Sequence, residues 1–225
     1  MLKIKFLNVI SKDIKLIFSD GSGIIQPVLL GLILVFVFSL STPVGEEVSA
    51  QAAASIFWLS TSFALILVFN TLYSIEEDNQ ARTGLLLSPM SLQYIWLGKA
   101  FTGLFLLLLT QVFFLPAIIV FLGQESISGI WGLLGTIMLV DWGLVAVGSL
   151  LGAVSQGHSA RDSLLSVVIF PLLIPILLAG IRMSSHFLTN GSADDLGAWA
   201  GIAFSFGAIF TGAAIVLFPF VYSEY

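Results

Sequence analysis

Residues 130–154 read IWGLLGTIMLVDWGLVAVGSLLGAV, an apolar run that is interrupted by a single charged side chain, Asp141. About 20 apolar residues in a helix are enough to cross the roughly 30 Å hydrocarbon layer of a membrane. Core helices of soluble domains carry shorter apolar runs. We therefore interpret this segment as a transmembrane helix, and apolar runs of similar length elsewhere in the chain are interpreted in the same way.

Five further apolar runs contain no charged side chain at all. Charged side chains are costly within hydrocarbon, so this pattern is typical of membrane spans. The sequence predicts an all-α integral membrane protein with six transmembrane helices and no independent soluble domain. The five further spans are predicted at Ile24–Leu40, Ala52–Tyr73, Ala100–Leu122, Leu164–Ile181 and Ala198–Val221.

The composition excludes several classes of protein. Hydrophobic residues make up 58% of the chain and charged residues 9%, whereas soluble domains carry about 25% charged residues. A net charge of −5 with only eight Lys and Arg residues disfavours nucleic-acid binding, which needs a dense basic surface. The absence of cysteine excludes disulfides, iron–sulfur clusters and cysteine-ligated zinc.

The basic residues predict the orientation, because Lys and Arg near helix ends favour the cytoplasmic side. With the N-terminus inside, only Arg182 lies outside. Both termini are then cytoplasmic. A cleaved signal peptide at Ala50-Gln51-Ala52 is disfavoured, because the apolar run before it is longer than a typical signal core. The basic residues assigned to the cytoplasm are Lys3, Lys5, Lys12, Lys15, Arg82, Lys99 and Arg161.

Residues 1–23 show a helical repeat of apolar side chains, for example Phe6 and Ile14, with lysines such as Lys12 and Lys15 on the opposite face. This pattern predicts an amphipathic helix in the headgroup layer, with its lysines near anionic lipid or a cytoplasmic partner. A simple orientation signal is the alternative interpretation.

The loop after the second span, residues 75–89, reads IEEDNQARTGLLLSP and is the densest polar run in the chain. Acidic residues suit a helix N-terminus, and a proline stops the following turn. We predict a cytoplasmic coupling segment over residues 75–93 that transmits motion from a soluble subunit into the bundle; a solvated linker is the alternative. The candidate coupling residues are Glu76, Glu77, Asp78, Asn79, Gln80, Arg82, Leu85, Leu86, Leu87, Ser88 and Pro89.

This loop carries a family resemblance. Its acids, followed by Gly-Leu-Leu-Leu-Ser-Pro at 84–89 and by Leu-Gly-Lys at 97–99, are similar to the equivalent loop of CcmB-type permeases of the cytochrome c maturation system. A second stretch, FPLLIPILLAG at 170–180, resembles the proline-paired fifth helix of that family. The resemblance covers nearly the whole chain and implies a single ABC-2-like permease bundle over residues 1–225.

The resemblance also implies a function and partners. The chain would be the permease subunit of an ABC-type complex for cytochrome c biogenesis, coupling a separate ATP-binding subunit to haem handling or to release of a haem-loaded chaperone. A haem-handling membrane protein, a small membrane partner and a second copy of the chain are the other candidate partners. Haem and ATP are expected on partner subunits, with no cofactor on this chain. The alternative is a general ABC-2 exporter of lipid, drug or polysaccharide.

The residues agree with a non-catalytic subunit. A phosphate-binding loop needs G-x-x-x-x-G-K-[ST], and the single Gly-Lys pair, Gly98-Lys99, is followed by alanine. An intramembrane enzyme would need a motif such as H-E-x-x-H or G-x-S-x-G, and neither is present. An autonomous carrier should show ionisable residues along a path, and the six spans contain one.

Four residues within the spans are candidate polar or kink positions. Asp141 must be neutral, paired or in a wet cavity, and both a partner contact and a structural hydrogen bond remain open as its role. Pro171 and Pro175 lie on one face of the fifth helix, which we predict to be kinked or locally unwound. That face should meet protein or water, because freed carbonyls need partners in a membrane. Gly180 ends the same motif.

The two histidines, His158 and His186, are predicted on opposite sides of the membrane, so they do not share a metal site. His186 and Met183 are both haem-ligand types, although a lone surface histidine is the preferred interpretation. Two G-x-x-x-G pairs, at 148–152 and 197–201, predict close helix packing.

Overall fold

The computed structural model describes residues 2–43, 46, 48–78, 84, 87, 90–124, 127–155, 161–189 and 195–223. Within these ranges the secondary structure is helical, and no strand occurs. The helices are α1 (Leu2–Asp20), α2 (Ser22–Ser41), α3 (Ala50–Asp78), α4 (Leu92–Phe121), α5 (Ile130–Ser155), α6 (Arg161–Leu188) and α7 (Leu196–Ser223).

Helices α2 to α7 are each long and apolar enough to cross a membrane, which makes six candidate spans in the described part of the chain. This confirms the predicted all-α membrane fold. The fourth span lies at Ile130–Val154, as predicted, whereas the apolar part of α6 lies at Phe170–Leu188. The sequence interpretation ended the fifth span before Arg182. A long basic side chain can reach the headgroup layer from inside a helix, so the helix continues past it.

Helices α3 and α5 form the centre of the bundle. They have the largest buried shares of the six spans, 67% and 72%, against 22% for α2 and for α7. Helix α3 packs against α2, α4, α5 and α6, and α5 also packs against α6 and α7. Helices α2 and α7 are therefore the least buried spans, and together with α4 they carry most of the exposed large apolar side chains in the described part of the chain.

Glycines allow the close approach of the two central helices. A Cβ atom at Gly148 would lie 2.7 Å from Phe69 Cδ2, and one at Gly152 would lie 2.7 Å from Tyr73 Cδ2. The first predicted glycine pair is therefore a packing contact. A Cβ at either glycine of the 197–201 pair would meet nothing within 4 Å, so that pair makes no close contact with the described part of the chain.

Helix α1 packs against the bundle through Val9, Asp13 and Ile17, which are buried and recur every four residues. The turn into α2 is made by Gly21, whose φ of 71° lies in the left-handed region that glycine tolerates. The predicted amphipathic helix is present. Its buried face contacts other helices of the chain and includes a carboxylate.

Helix α6 is continuous across Pro171 and Pro175, so of the two predicted forms, kinked or locally unwound, the helix is not unwound there and the kink stays a prediction. A transmembrane helix can lose single backbone hydrogen bonds at proline without breaking. Both prolines are exposed on the surface of the chain, so the protein contact predicted for this face is not supplied by the chain itself. Gly180 lies on the inner side, where a Cβ would be 2.8 Å from Trp58 Cε2.

Candidate functional site

Glu76 lies inside the helix bundle. The sequence placed it in an exposed coupling segment, and that placement is wrong: α3 continues to Asp78, and Glu76 has 0% exposure. The sequence predicted that the second span ends at Tyr73, shortly before the acidic run that begins at Glu76. The helix extends further because basic and hydroxyl groups from other helices surround the carboxylate.

Three donors converge on the Glu76 carboxylate. Lys12 Nζ of α1 donates to Oε1 at 2.7 Å, and Lys99 Nζ of α4 lies 2.8 Å from Oε2. The Tyr222 hydroxyl of α7 donates to Oε2 at 3.0 Å. A single carboxylate at the end of α3 thus holds three other helices.

Asp13 completes a group that we call the charge cluster: Lys12, Asp13, Glu76, Lys99 and Tyr222. Lys12 Nζ lies 2.9 Å from Asp13 Oδ1, so the two lysines balance the two acids. Burial raises the pKa of Asp13, although Lys99 and Lys12 oppose that shift. Burial would lower the pKa of Lys12, but the carboxylates of Asp13 and Glu76 outweigh it and the pKa is raised.

Two aromatic side chains, Tyr73 and Trp96, connect the surroundings of Lys99 to helix α5. Lys99 Nζ lies 4.4 Å from the centre of the Tyr73 ring and donates to the Leu72 carbonyl at 3.2 Å. The Tyr73 hydroxyl donates to the Ser149 carbonyl at 2.8 Å, and Trp96 Nε1 donates to Ser149 Oγ at 2.9 Å. Movement of Lys99 is therefore coupled to the centre of the bundle.

The charge cluster borders the predicted coupling segment. Helix α3 ends at Asp78, two residues beyond Glu76, and α4 begins at Leu92, before Lys99. The polar segment between these helices thus joins the bundle at two points that are bonded to each other. A force on that segment would act first on the Glu76–Lys99 ion pair.

The other candidate coupling residues are only partly described. The backbone of Glu77 and Asp78 belongs to the last turn of α3, and Leu87 is exposed. The coupling role of residues 75–93 therefore stays a prediction, as does the cytoplasmic position of His158, which lies outside the described residues. The candidate residues outside the described part of the chain are Asn79, Gln80, Arg82, Leu85, Leu86, Ser88 and Pro89.

Asp141 is paired with an amide in the middle of the bundle. Gln111 Nε2 of α4 donates to Asp141 Oδ1 of α5 at 2.8 Å, and both side chains are buried. The other oxygens, Asp141 Oδ2 and Gln111 Oε1, have no hydrogen-bond partner among the residues that the structure describes. Of the states that the sequence left open, the structure shows a paired carboxyl group. Gln111 was missed, although an amide within an apolar run is itself a signal of such a pair.

Sequence reasoning also missed most of the charge cluster. Lys12 was interpreted as an orientation signal that faces lipid or a partner, Lys99 as an orientation signal and part of a family motif, and Tyr222 was not considered. Asp13 did leave a signal, because it lies between Val9 and Ile17 on the apolar face of α1. An acid in an apolar stripe implies a buried cation nearby. Among the residues that the structure describes, no three His, Cys, Asp or Glu side chains group as a metal site.

Comparison with known proteins places the whole chain in one family. Residues 4–224 match the family model described as CcmB protein. The chain is similar to Heme exporter protein B of Haemophilus influenzae, with 25% identity over 77% of this chain and 78% of that protein. It is also similar to Heme exporter protein B of Rhodobacter capsulatus, with 23% identity over 94% of each chain.

Proposed function

The chain belongs to the CcmB family, and from this membership we propose that it is the permease subunit of an ABC-type haem exporter complex that serves cytochrome c biogenesis. The observation that carries this proposal is the family match over residues 4–224. Both curated relatives bear the name of a haem exporter protein, which favours this function over a general exporter of lipid, drug or polysaccharide. The chain is then a transport subunit, with its ATP-hydrolysing partner separate.

The coupling step is proposed from the position of the charge cluster. A separate ATP-binding subunit would dock on the segment between α3 and α4. Glu76 Oε2 of α3 and Lys99 Nζ of α4 are 2.8 Å apart, and α3 and α4 are the two helices that flank that segment. A pull on the segment therefore shifts α3 and α4 together. Lys12 and Tyr222 would extend the shift to α1 and α7. A buried ion pair transmits such motion as a discrete change of partners, because a partly broken pair is costly.

The orientation and the other partners also belong to the proposal. The basic residues near helix ends support both termini in the cytoplasm, so the charge cluster would face the cytoplasm. The similarity to proteins of two bacteria supports a location in the bacterial cytoplasmic (inner) membrane. A haem-handling membrane protein, a small membrane partner and a second copy of the chain are the proposed neighbours. ATP would be bound by the partner subunit, since Gly98-Lys99 lacks the rest of a phosphate-binding loop.

Charge reversal at Glu77 and Asp78 tests the docking surface. We predict that both residues changed to Lys leave membrane insertion and yield near normal, but reduce co-purification of the ATP-binding subunit and lower cytochrome c output. Charges on a docking surface alter association more than folding, and Glu77 and Asp78 belong to the segment proposed to dock. Glu76 must be kept, because its reversal would place a third cation beside Lys12 and Lys99.

The matched control reverses Glu46 and Glu47, which follow the first span and are assigned to the outer side by the proposed orientation. That variant should retain full association and cytochrome c output. Normal ATPase association and cytochrome c output in the Glu77 and Asp78 variant would show that the segment is only a linker. Deletion of the gene with no loss of cytochrome c would instead contradict the proposed function itself.

A further inference from the structure

A cavity of about 660 Å³ opens at the end of the bundle opposite to the charge cluster. It lies where the N-terminal ends of α3 and α7 meet the C-terminal end of α6. This volume is within the range of about 300–1,000 Å³ that is typical of small-molecule sites. The side chains that give the cavity its chemistry are Gln51, Arg182, His186, Asp195 and Trp199.

Arg182 supplies an unneutralised positive charge to this cavity. Its side chain is exposed, and within the described part of the chain the ion pairs involve only Lys12 and Lys99 as cations. Asp195 also lines the cavity but is not within ion-pair distance of Arg182. A guanidinium group binds carboxylates through two parallel hydrogen bonds. The cavity therefore offers a site for a carboxylate of a ligand.

Trp199 supplies a flat apolar surface in the same cavity. It lies in the first turn of α7 and is half-buried, and its backbone N–H donates to the Asp195 carbonyl at 3.1 Å. Indole rings stack well on other aromatic rings. A ligand that meets both Trp199 and Arg182 must combine a flat ring with an acidic group.

The walls of the cavity are held by contacts outside it. Trp58 Nε1 of α3 donates to Ser184 Oγ of α6 at 3.0 Å, next to the close contact between Trp58 and Gly180. The backbone N–H of Ser128 donates to the Phe187 carbonyl at 2.9 Å. These bonds fix α6 relative to α3 and to the loop before α5. A preformed site loses less entropy when it binds a ligand.

We propose that this cavity binds a flat, ring-containing molecule with carboxylate groups, whose carboxylate pairs with Arg182 and whose ring packs against Trp199. The proposed ligand class rests on the proposed function, because porphyrins such as haem combine a flat ring with propionate carboxylates. The cavity is then a transient cargo site at the outer face.

The test uses the full chain in phosphatidylcholine nanodiscs, so that lipid phosphate is present in every sample. Protoporphyrin IX binding is measured by fluorescence titration for the wild type, Arg182→Gln and Trp199→Leu. The control is Lys15→Gln, which removes one exposed cation at the other end of the bundle. Protoporphyrin IX dimethyl ester, which lacks the carboxylates, is titrated in parallel.

The expected result is saturable binding that Arg182→Gln weakens about 10-fold, the loss expected for a charge-assisted hydrogen bond. Trp199→Leu should weaken the binding of both porphyrins, whereas Lys15→Gln should change neither. The ester should bind equally to the wild type and to Arg182→Gln. Equal protoporphyrin IX affinity in the wild type, Arg182→Gln and Trp199→Leu would overturn the inference.

The same proteins separate this inference from the proposed function. The ATPase co-purification and cytochrome c assays do not depend on where a porphyrin binds. If those assays succeed while porphyrin binding ignores Arg182 and Trp199, the cavity proposal fails and the permease function stands. If they fail while binding depends on both residues, the cavity is a real site in a protein with another role.

Discussion

At the scale of single residues, Glu76 determines how four helices meet. Its two carboxylate oxygens accept hydrogen bonds from Lys12, Lys99 and Tyr222. The carboxylate is therefore the counter-charge of both lysines beside it. A buried ion pair adds little net stability compared with an apolar pair, but removal of one partner leaves a buried charge and costs about 3–5 kcal/mol. The charge cluster therefore contributes more to the specificity of the helix arrangement than to its stability.

Substitutions within the cluster should differ in cost. We predict that Glu76→Gln destabilises the purified chain by about 3–5 kcal/mol, because Lys99 is buried and loses its carboxylate. Tyr222→Phe should cost about 1 kcal/mol, since one hydrogen bond is lost while two lysines still neutralise Glu76. Thermal unfolding in detergent measures both. Glu46→Gln, at an exposed acid, serves as the control, and a Glu76→Gln variant as stable as this control would contradict the assignment.

Asp141 allows a second residue-scale prediction. Asp141→Asn keeps an oxygen that can accept from Gln111 Nε2, so the chain should remain near wild-type stability. Asp141→Leu leaves the Gln111 amide buried without an acceptor, which we expect to cost about 1–3 kcal/mol. The double variant Asp141→Leu with Gln111→Leu should recover part of that loss. Equal destabilisation by Asn and Leu, measured by thermal unfolding, would show that the carboxyl group itself is required.

At the scale of helices, the glycines of α5 and α7 have different roles. A Cβ at Gly148 would lie 2.7 Å from the buried Phe69 ring, whereas one at Gly201 would meet nothing within 4 Å. We predict that Gly148→Ala destabilises the bundle by about 1–3 kcal/mol through overpacking. Gly201→Ala should be neutral or stabilise by up to about 1 kcal/mol, because alanine favours a helix.

The comparison of these two alanine variants needs one detergent and one measurement, such as loss of helical circular dichroism on heating. Similar melting temperatures for both variants would mean that α3 and α5 are not packed through Gly148. A loss of stability confined to Gly201→Ala would place a helix–helix contact on the outer face of α7.

The helices were predictable because lipid imposes a simple rule on every span. Charge is excluded from the hydrocarbon and backbone groups must bond internally, so apolar length alone located all six spans. The exceptions follow from side-chain reach. Arg182 lies inside α6 because its side chain is exposed and lines the open cavity at that end of the bundle, and Glu76 lies inside α3 because cations from other helices neutralise it.

The pairing within the site was not predictable from local patterns. Lys12 and Glu76 are 64 positions apart, and Tyr222 and Glu76 are 146 apart. Helical periodicity shows which face a residue lies on but not which other helix covers that face. Asp13 and Gln111 are polar side chains on otherwise apolar helix faces. Such a residue indicates from sequence that a buried polar pair exists, but it does not identify the partner.

At the scale of the whole molecule, the orientation is open to a direct test. The chain contains no cysteine, so single introduced cysteines can be labelled without background. We predict that cysteines at Glu46 and Asp194 react with an impermeant maleimide from outside the cell. Cysteines at Asn79 and His158 should react only after the membrane is permeabilised. Labelling of Asn79 in intact cells would invert the proposed topology.

The bonds of the charge cluster form in a fixed order during biosynthesis, because its residues lie on helices that are synthesised one after another. Glu76 and Lys99 enter the membrane with neighbouring helices and can neutralise each other as soon as α4 emerges from the ribosome. Tyr222 arrives only with α7, so a nascent chain truncated after α6 holds an incompletely bonded carboxylate beside an open groove. The insertion of the last helix therefore completes the hydrogen bonds of a carboxylate that was synthesised 146 residues earlier.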